Sequence, residues 1–547
     1  MASMTEKRDP KEIRNSKSEI RNHSENQTPN DPNARILRLH LRSLRLVGCV
    51  FAVSLLCASL RADVSDLQQA EPLQIDIQRA IMMAMENNRS LIVQKMSPDI
   101  VRTAEGEERA VFDSVLTGQA SQKRTVADRL SRAGSGIESS IQDTATGTIS
   151  LEKLFPSGTT LGLGASSNYT DSSLYSDTFV SNRLGASVTQ SLLQGRDVRV
   201  NMASIHQAEI DTQISGYELR GFTEALVQSV EEGFWNYALT KRQIEIYTNS
   251  LSLAEQQMEE AQERIKIGAL AETELAAAKA EVALRRENLI NSRSNATIAR
   301  LNLLRLLNPS DTIDWNTDIV LDYMTTLPDV PLDPVEYHVE VAMKMRPDLN
   351  QARLLIRRGE LDVVRTRNGL LPRLDAFITY GKTGYARTFS EANDDLDERS
   401  YDVEAGLLFE FPAGNRAAKA RHSRAVISKQ QSIKALENLV QLAQVDVWTA
   451  YVEVERTREQ ITATAATRES QEEKLRVETE KFRVGKSTSL LVAQAQRDLV
   501  ASQIAEVQVV VNYVKALVSL YQLEGSLLHR RGLSAPGDEP VELDPGK

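Results

Sequence analysis

Cysteine is almost absent from this chain of 547 residues. The two that occur, Cys49 and Cys57, both precede residue 62. The rest of the chain therefore cannot form disulfides, and it lacks the cysteine and histidine clusters of a structural zinc site. The six histidines are scattered and form no ligand pair at helical spacing. We expect neither a metal centre nor a cofactor.

Aromatic residues, glycine and proline are also scarce. Aromatics make up 5% of the chain, with 26 glycines and 16 prolines, and long helices suit that composition better than several compact domains. The net charge is −10 and no basic block occurs, so nucleic acid is not an expected partner. No catalytic constellation is present. Gly485-Lys486-Ser487-Thr488 resembles the end of a phosphate-binding loop, but Glu480 stands where the first glycine is required.

The first 62 residues differ in character from the rest. Residues 1–34 are polar, residues 35–45 contain four arginines, and an apolar run at 46–60 leads to Leu60-Arg61-Ala62. This order is typical of a secretory signal, and about 15 apolar residues are too few to span a bilayer. Residues 1–62 carry a charge of +5, so the remainder carries −15. The pattern predicts an acidic envelope protein of a Gram-negative-type cell.

The chain contains one unit twice. Residues 234–308 include a single glycine, Gly268, and no proline, and Arg264–Glu274 interrupts them as a hairpin tip. Adding 217 to each number gives Lys481–Leu491, which again alternates basic and apolar residues before Gly485. The offset holds from Val230, which falls on Val447, to Leu306, which falls on Leu523. Chance does not keep register over such a length, so this is a duplication.

Long helices flank both tips. Apolar residues from Val230 to Ile265 recur with a mean period of 3.5, which is typical of a coiled-coil seam. The return segment stops at Asn308-Pro309. In the second repeat, residues 415–484 contain neither glycine nor proline, which predicts a helix of about 105 Å. Another helix is expected from residue 486 to about Leu523.

Strands precede each long helix. At residues 148–192, apolar residues such as Leu161 and Leu163 alternate with glycine and polar residues, and residues 374–380 and 401–411 alternate likewise. One apolar and one polar face suit either a half-buried soluble sheet or a membrane barrel. Tyr169, Tyr175, Tyr380 and Tyr401 near strand ends suit an interfacial girdle or ordinary sheet packing.

The first repeat carries additional residues among its strands. Before the strands the two repeats are offset by 258, since Ala84 and Leu91 match Ala342 and Leu349, whereas after the strands the offset is 217. The difference of 41 residues corresponds to about one hairpin. A hairpin in the sheet gives each chain six strands instead of four. The alternative is that residues 125–145 and 170–181 fold outside it.

The doubled order of helix, strands, long helix, glycine tip and helix resembles the TolC family of outer-membrane efflux and secretion channels. The resemblance covers about Leu73 to Leu528. It rests on residues 80–91, Thr189-Gln190-Ser191-Leu192-Leu193, both glycine tips and the leucine-rich helix ends near Leu303 and Leu520. It implies a mostly α-helical fold with a transmembrane β-barrel contribution, in which three chains form one barrel in the outer membrane and one α-helical tunnel in the periplasm.

The resemblance also implies partners. A homotrimer would contact a periplasmic adaptor protein at the tips, and through it an inner-membrane pump, with outer-membrane lipid around the barrel. The expected docking residues are those around the two tip glycines: Arg264, Lys266, Gly268, Ala269, Leu270, Arg483, Gly485, Lys486, Ser487 and Leu490. A helix-ending glycine also has a purely structural interpretation, a left-handed cap.

Closure of the periplasmic mouth does not carry over from the family. Its gate uses a tyrosine, an arginine and acidic residues near the tips. Glu274 matches one acidic position, while the other gate positions fall on Phe482, Ser487, Leu491 and Gln494. Glu274, Phe482, Leu491 and Gln494 remain candidate mouth residues without the carboxylate rings.

The sequence therefore predicts five segments: a disordered extension with signal peptide (1–62), a first repeat (63–308, strands about 113–192), a linker (309–336), a second repeat (337–528, strands about 373–411) and a disordered tail (529–547). The predicted function is a non-enzymatic outer-membrane exit duct for small molecules or secreted proteins. A periplasmic coiled-coil scaffold with a soluble sheet is the alternative.

Overall fold

The computed structural model describes residues 73–130, 137–173, 177–269, 271–308, 315–322, 331–397 and 399–542. The predicted signal segment, Tyr175 and Leu270 lie outside these residues.

Helices form most of the described chain. The helices are α1 (Ile77–Asn87), α2 (Arg89–Lys95), α3 (Ser97–Arg109), α4 (Val198–Asn201), α5 (Ala203–Lys266), α6 (Glu272–Leu307), α7 (Val335–Met345), α8 (Pro347–Asn368), α9 (Phe389–Asp394), α10 (Arg416–Arg483), α11 (Ser489–Leu523) and α12 (Leu527–Arg530). The strands are β1 (Leu73–Ile75), β2 (Ser114–Leu130), β3 (Ile137–Leu154), β4 (Thr159–Ser172), β5 (Phe179–Ser191), β6 (Ile319–Leu321), β7 (Arg373–Ala386) and β8 (Tyr401–Glu410).

Six strands form one antiparallel sheet in the order β2-β3-β4-β5-β7-β8. With the offset of 258, the start of β2 falls one residue before the start of β7. With the offset of 217, the end of β5 falls two residues before the end of β8. The hairpin β3–β4, which has no counterpart among the described residues of the second repeat, is inserted between β2 and β5. This confirms that the additional residues join the sheet. They do so because Thr125 pairs with Gln142 and Gln142 with Ser172 inside continuous ladders.

The short helices of each repeat stack end to end on the return helix. In the first repeat, the Asn88 side chain donates to the Leu306 carbonyl at 2.9 Å, and the Asn308 side chain donates to the Asn87 carbonyl at 3.0 Å. In the second repeat, Gly525 closes on Met345 and Arg346, where a β-carbon would lie 2.9 Å from the Met345 carbonyl carbon. Both junctions use a positive φ, 44° at Asn308 and 73° at Gly525. Asn308 and Gly525 are equivalent positions at the offset of 217, so the duplication includes these helix junctions.

The segment before the strands of the first repeat is not one continuous helix but β1 followed by three short helices. Asn88 interrupts it because its side chain accepts from the Leu91 amide at 3.1 Å and so starts α2. β1 pairs in parallel with β6 of the predicted linker, Leu73 opposite Ile319. The interruption turns α1 toward the junction of the two repeats, where it adds Ala80, Ile81 and Ala84 to the core.

The core lies where the two repeats meet. It is formed by fully buried residues from both: Leu91, Val230, Phe234, Leu303, Leu307, Val447 and Leu520. Val230 and Phe234 lie in the predicted coiled-coil seam. Of the described helices, α11 alone is apolar and long enough to span a membrane, but half of its apolar window is buried against its neighbours, as expected of a core helix.

The C-terminal segment differs from its predicted disorder. Residues 531–542 follow α5 and α8 in defined contacts. Arg220 binds Asp538 at 2.7 Å, the Tyr217 hydroxyl donates to the Glu539 carbonyl, and the Val541 amide donates to Asn350 Oδ1 at 2.9 Å. A polar, proline-containing segment is ordered here because buried donors elsewhere in the fold bind its carbonyl groups, and these partners are not visible in the local sequence.

Candidate docking, mouth and membrane sites

The tip of the first hairpin is a left-handed helix cap. α5 ends at Lys266, and Gly268 adopts φ +74°. The Gly268 amide donates to the Ile265 carbonyl at 2.9 Å, and the Ala269 amide donates to the Arg264 carbonyl at 2.8 Å. This pair of bonds is a Schellman motif, which satisfies the last carbonyls of the helix.

The second tip repeats the same geometry 217 residues later. Gly485 adopts φ +75°, and its amide donates to the Phe482 carbonyl at 3.0 Å. The Lys486 amide donates to the Lys481 carbonyl at 2.8 Å. Ser487 and Thr488 thus belong to a helix cap and the start of α11, whose Thr488 side chain accepts from the Leu491 amide. This placement agrees with the exclusion of a phosphate-binding loop.

Both tips leave their apolar residue in solvent. Ile267 and Val484, which precede the two glycines, are 78% and 68% exposed. These two residues were not among the predicted docking residues. The sequence signal for them is the apolar residue that precedes the tip glycine in both repeats. Leu490 is also exposed. No atom lies within 4 Å of a β-carbon built on Gly268 or Gly485, so the tips are accessible to a partner.

The tip bases are mostly held by acidic residues of their own helix. Lys266 pairs with Glu263 at 2.5 Å and Arg483 with Glu480 at 2.9 Å. The Ser487 hydroxyl donates to Glu478 at 2.8 Å. The hydrogen bond from Lys481, and then that from Ser487, lowers the pKa of the half-buried Glu478 carboxyl. Within the described residues Lys486 has no ion pair and is the basic group most available to a partner.

The two tips of one chain contact each other through predicted site residues. The guanidinium of Arg264 lies 5.7 Å from the ring centroid of Phe482. Ser489 donates a hydrogen bond to Glu274. The structure therefore uses Glu274 and Phe482 to join the hairpins, whereas Leu491 and Gln494 are exposed on α11. Docking at the tips and closure at the mouth both stay predictions for these residues.

The sheet has two chemically different faces. One, the apolar face, carries a row across all six strands that is mostly large and exposed: Leu116, Leu151, Leu163, Ala186, Tyr380 and Val403. The adjacent row on the other, polar face is Thr117, Ser150, Gly164, Gly185, Gly381 and Asp402. An exposed apolar surface of this extent is unfavourable in water and suits contact with lipid.

Buried charges near the junction of the repeats were not predicted from the sequence. Arg220 and Glu224 on α5 are 1% exposed or less, and Arg220 Nε contacts Glu224 Oε1 at 3.2 Å. Arg220 also donates to the carbonyls of Gly525 and Gly537. Burial raises the pKa of Glu224 from 4.5 to about 7, despite the opposing effect of Arg220. The nearby carboxylates of Asp538 and Asp348 contribute smaller parts of this rise in the pKa.

This pKa predicts a pH-dependent stability. Between pH 4.5 and about 7 the folded chain binds more protons at Glu224 than the unfolded chain, so this residue contributes less stability as pH rises. Glu224→Gln removes this ionisable carboxyl group. We expect the difference in unfolding free energy, variant minus wild type, to grow from pH 5 to 8 by at most about 3 kcal/mol. Thermal unfolding at four pH values measures it, with exposed Glu218→Gln as control. A difference that is constant with pH would contradict the prediction.

Long helical hairpins joined to an amphipathic antiparallel sheet define the class of TolC-like outer-membrane channel subunits, which confirms the predicted fold class. The chain belongs to the outer membrane efflux protein family, whose model matches residues 148–309 and 339–526. It is accordingly an outer-membrane protein. No curated protein matches the chain significantly.

Solved structures share the fold. A membrane protein from Pseudomonas aeruginosa superposes with a TM-score of 0.62 at 21% identity, covering 82% of this chain and 93% of that chain. The outer membrane protein VceC from Vibrio cholerae gives 0.60 at 15% identity, covering 82% and 96%. The Campylobacter jejuni CmeC outer membrane channel gives 0.62 at 13% identity, covering 82% and 86%. At these identities the likeness shows a shared fold.

Proposed function

We propose that this protein is the trimeric exit duct of an efflux or secretion system, receiving its cargo from an inner-membrane pump through a periplasmic adaptor. The observation that carries the proposal is the sheet, which has an apolar face, a polar face and two free edges within the described residues. Such edges are unsatisfied in a bilayer unless the sheet closes into a barrel.

Six strands can close only by pooling strands from several chains. A barrel of six strands is too small, since small barrels have about eight. β2 runs away from the helices and β8 runs back to them, so β8 of one chain pairs antiparallel with β2 of the next. Three chains then give 18 strands, and barrels of about 16 to 18 strands leave an aqueous channel. The polar face lines that channel.

The helices have matching free edges. Near the strands the helices lie in the order α3, α5, α8 and α10, each packed on the next. Near the tips the order is α6, α5, α11 and α10. α3 and α6 are therefore exposed on the side that bears β2, and α10 on the side that bears β8. The same head-to-tail relation serves the sheet and the helices, as a closed cyclic trimer requires.

α10 is apolar on two opposite sides. Ala443, Val447, Ala450 and Val454 face the core. The opposite side carries an exposed stripe, which consists of Leu442, Val445, Trp448 and Val452. An apolar stripe on a helix normally packs against another element. On the other edge, Val93 of α2, Ile100 of α3 and Met96 between these helices are likewise exposed. The proposed trimer covers the α10 stripe with the first-repeat edge of a second copy.

The helical part supplies the periplasmic tunnel. α5 has 64 residues and α10 has 68, which correspond to about 96 and 102 Å. The strands lie at one end of these helices and the glycine tips at the other. A barrel in the outer membrane therefore leaves the tips deep in the periplasm, where the exposed Ile267, Val484 and Lys486 meet the adaptor. The duct is passive, and the adaptor and pump select the cargo.

The proposal predicts that the full chain, purified in detergent, has the mass of three chains, migrates in a heat-modifiable way and conducts ions in planar bilayers. The reason is that edge pairing and the apolar face are satisfied only in the closed barrel. Size-exclusion chromatography with light scattering and single-channel recording measure these properties. A chain that is freely soluble and monomeric without detergent after removal of residues 1–62 would reject the duct and favour a periplasmic scaffold.

A further inference from the structure

The polar face of the sheet carries an arginine that lies along the wall. Arg183 on β5 stands opposite Thr383 on β7, and Gly381 stands opposite Asp402 on β8. The Arg183 guanidinium crosses Gly381 diagonally and binds Asp402 with both terminal nitrogens, Nη2 to Oδ2 at 2.6 Å. Nη1 also donates to Thr383 Oγ1 at 3.3 Å. The bidentate geometry fixes the orientation of the side chain.

Glycine at 381 is what permits this path. A β-carbon at that position would lie 2.5 Å from Arg183 Cζ, which is too close for any non-bonded contact. Gly185, in the same row, has ordinary space, since its nearest neighbour would be the Tyr380 carbonyl oxygen at 3.5 Å. The path of the Arg183 side chain therefore requires glycine at position 381, but not at position 185.

Two acidic residues near the Arg183–Asp402 pair have no such cationic partner. Glu152 and Glu404 lie in the next row toward the helices, and both are exposed with no ion pair in the described part of the chain. Arg183 and Asp402 are also solvated, with side chains 41% and 47% exposed. In the closed barrel, Arg183 is thus a cation held against the wall in an otherwise acidic band.

We propose that Arg183, Gly381 and Asp402 form a clamp that sets the bore and ion selectivity of the barrel, keeping three arginines of the trimer flat and neutralised so that the channel stays open and prefers cations. This inference rests on the proposed function, because the polar face is a lumen only in the closed trimer. It assigns these three residues to permeation.

Single-channel recording in a KCl gradient near 10 mM tests the charge of the clamp, because the Debye length there is about 30 Å and lumen charges are weakly screened. Asp402→Asn frees three guanidinium groups and should lower the cation-to-anion permeability ratio at least about twofold. Arg183→Gln should raise it, and the double variant should return to the wild-type ratio.

The control pair is Arg124 and Asp143, which lie opposite each other on β2 and β3 with Nε 3.8 Å from Oδ1, on the apolar-face side of the sheet. Arg124→Gln and Asp143→Asn should leave the ratio unchanged. Equal effects of both pairs, or no effect of either Asp402→Asn or Arg183→Gln, would overturn the proposal. The two variants are expected to change the permeability ratio in opposite directions. Either one therefore tests the proposal if the other fails to assemble.

A variant without a change of charge tests the geometry. Gly381→Ala should push Arg183 off Asp402 into the lumen and reduce the unitary conductance, while Gly185→Ala should not. Equal conductance of these two variants would reject the clamp. Absence of any channel activity in the wild-type chain would instead reject the duct itself, so the two failures are distinguishable.

Discussion

Replacing Val445 and Val452 with glutamate is expected to abolish trimer assembly while each chain keeps its fold. Both side chains belong to the exposed stripe of α10, 61% and 55% exposed in the single chain, and point away from Val447 and Val454 in the core. In the proposed trimer they are covered by the next chain. Two carboxylates buried at each interface without partners cost several kcal/mol each, and the closed trimer repeats that cost three times.

The measurement combines light scattering in detergent with circular dichroism. The double variant should elute as a monomer with the helical content of the wild type. The matched control is Leu253→Glu, since Leu253 is 42% exposed on α5, a helix with neighbours from its own chain on both sides near the tips. A trimer that survives in the double variant would remove the α10 stripe from the interface and require another closure of the tunnel.

Substituting valine at both Gly268 and Gly485 is expected to abolish capture of the adaptor and export, and to leave the trimer intact. Both glycines have open space for a side chain but adopt positive φ, so the cost is about 1 to 2 kcal/mol of backbone strain at each site. The tip relaxes that strain by changing shape. The helices persist because their packing against Leu303, Val447 and Leu520 lies far from the tips.

Gly532→Val is the matched control, because Gly532 has φ +69° and equally open surroundings at the C-terminal end of the chain. Adaptor pull-down and crosslinking of the trimer, carried out on the same preparation, separate docking from assembly. Undiminished adaptor capture by the double variant would exclude the tips as the docking surface. Loss of the trimer in that variant would show that the tips stabilise assembly as well.

The sequence by itself determined the elements with a strong local signal. The long helix α10 follows from an uninterrupted run without glycine or proline, as do the return helix α6 and the part of α5 after Gly233. The ends of α5, α6 and α10 follow from Gly268, Asn308 and Gly485, each of which adopts positive φ. The difference between the two offsets of the duplication predicted the length of the extra hairpin. The alternation of apolar and polar residues predicted that the hairpin lies in the sheet, because successive side chains of a strand point to opposite faces.

Only the tertiary structure decided the features that depend on distant partners. Asn88 caps α2 locally, but its side chain also joins that cap to the Leu306 carbonyl of the distant return helix. The C-terminal segment is ordered because Arg220 and Tyr217 bind its carbonyl groups. Glu274 and Phe482 matched mouth positions in the sequence, yet they join the two tips of one chain. Arg183 acquires a role only when Gly381 and Asp402 stand beside it in the sheet. Local sequence sets helix and strand, whereas hydrogen bonds and ion pairs between residues far apart in the chain depend on the register of the folded repeats.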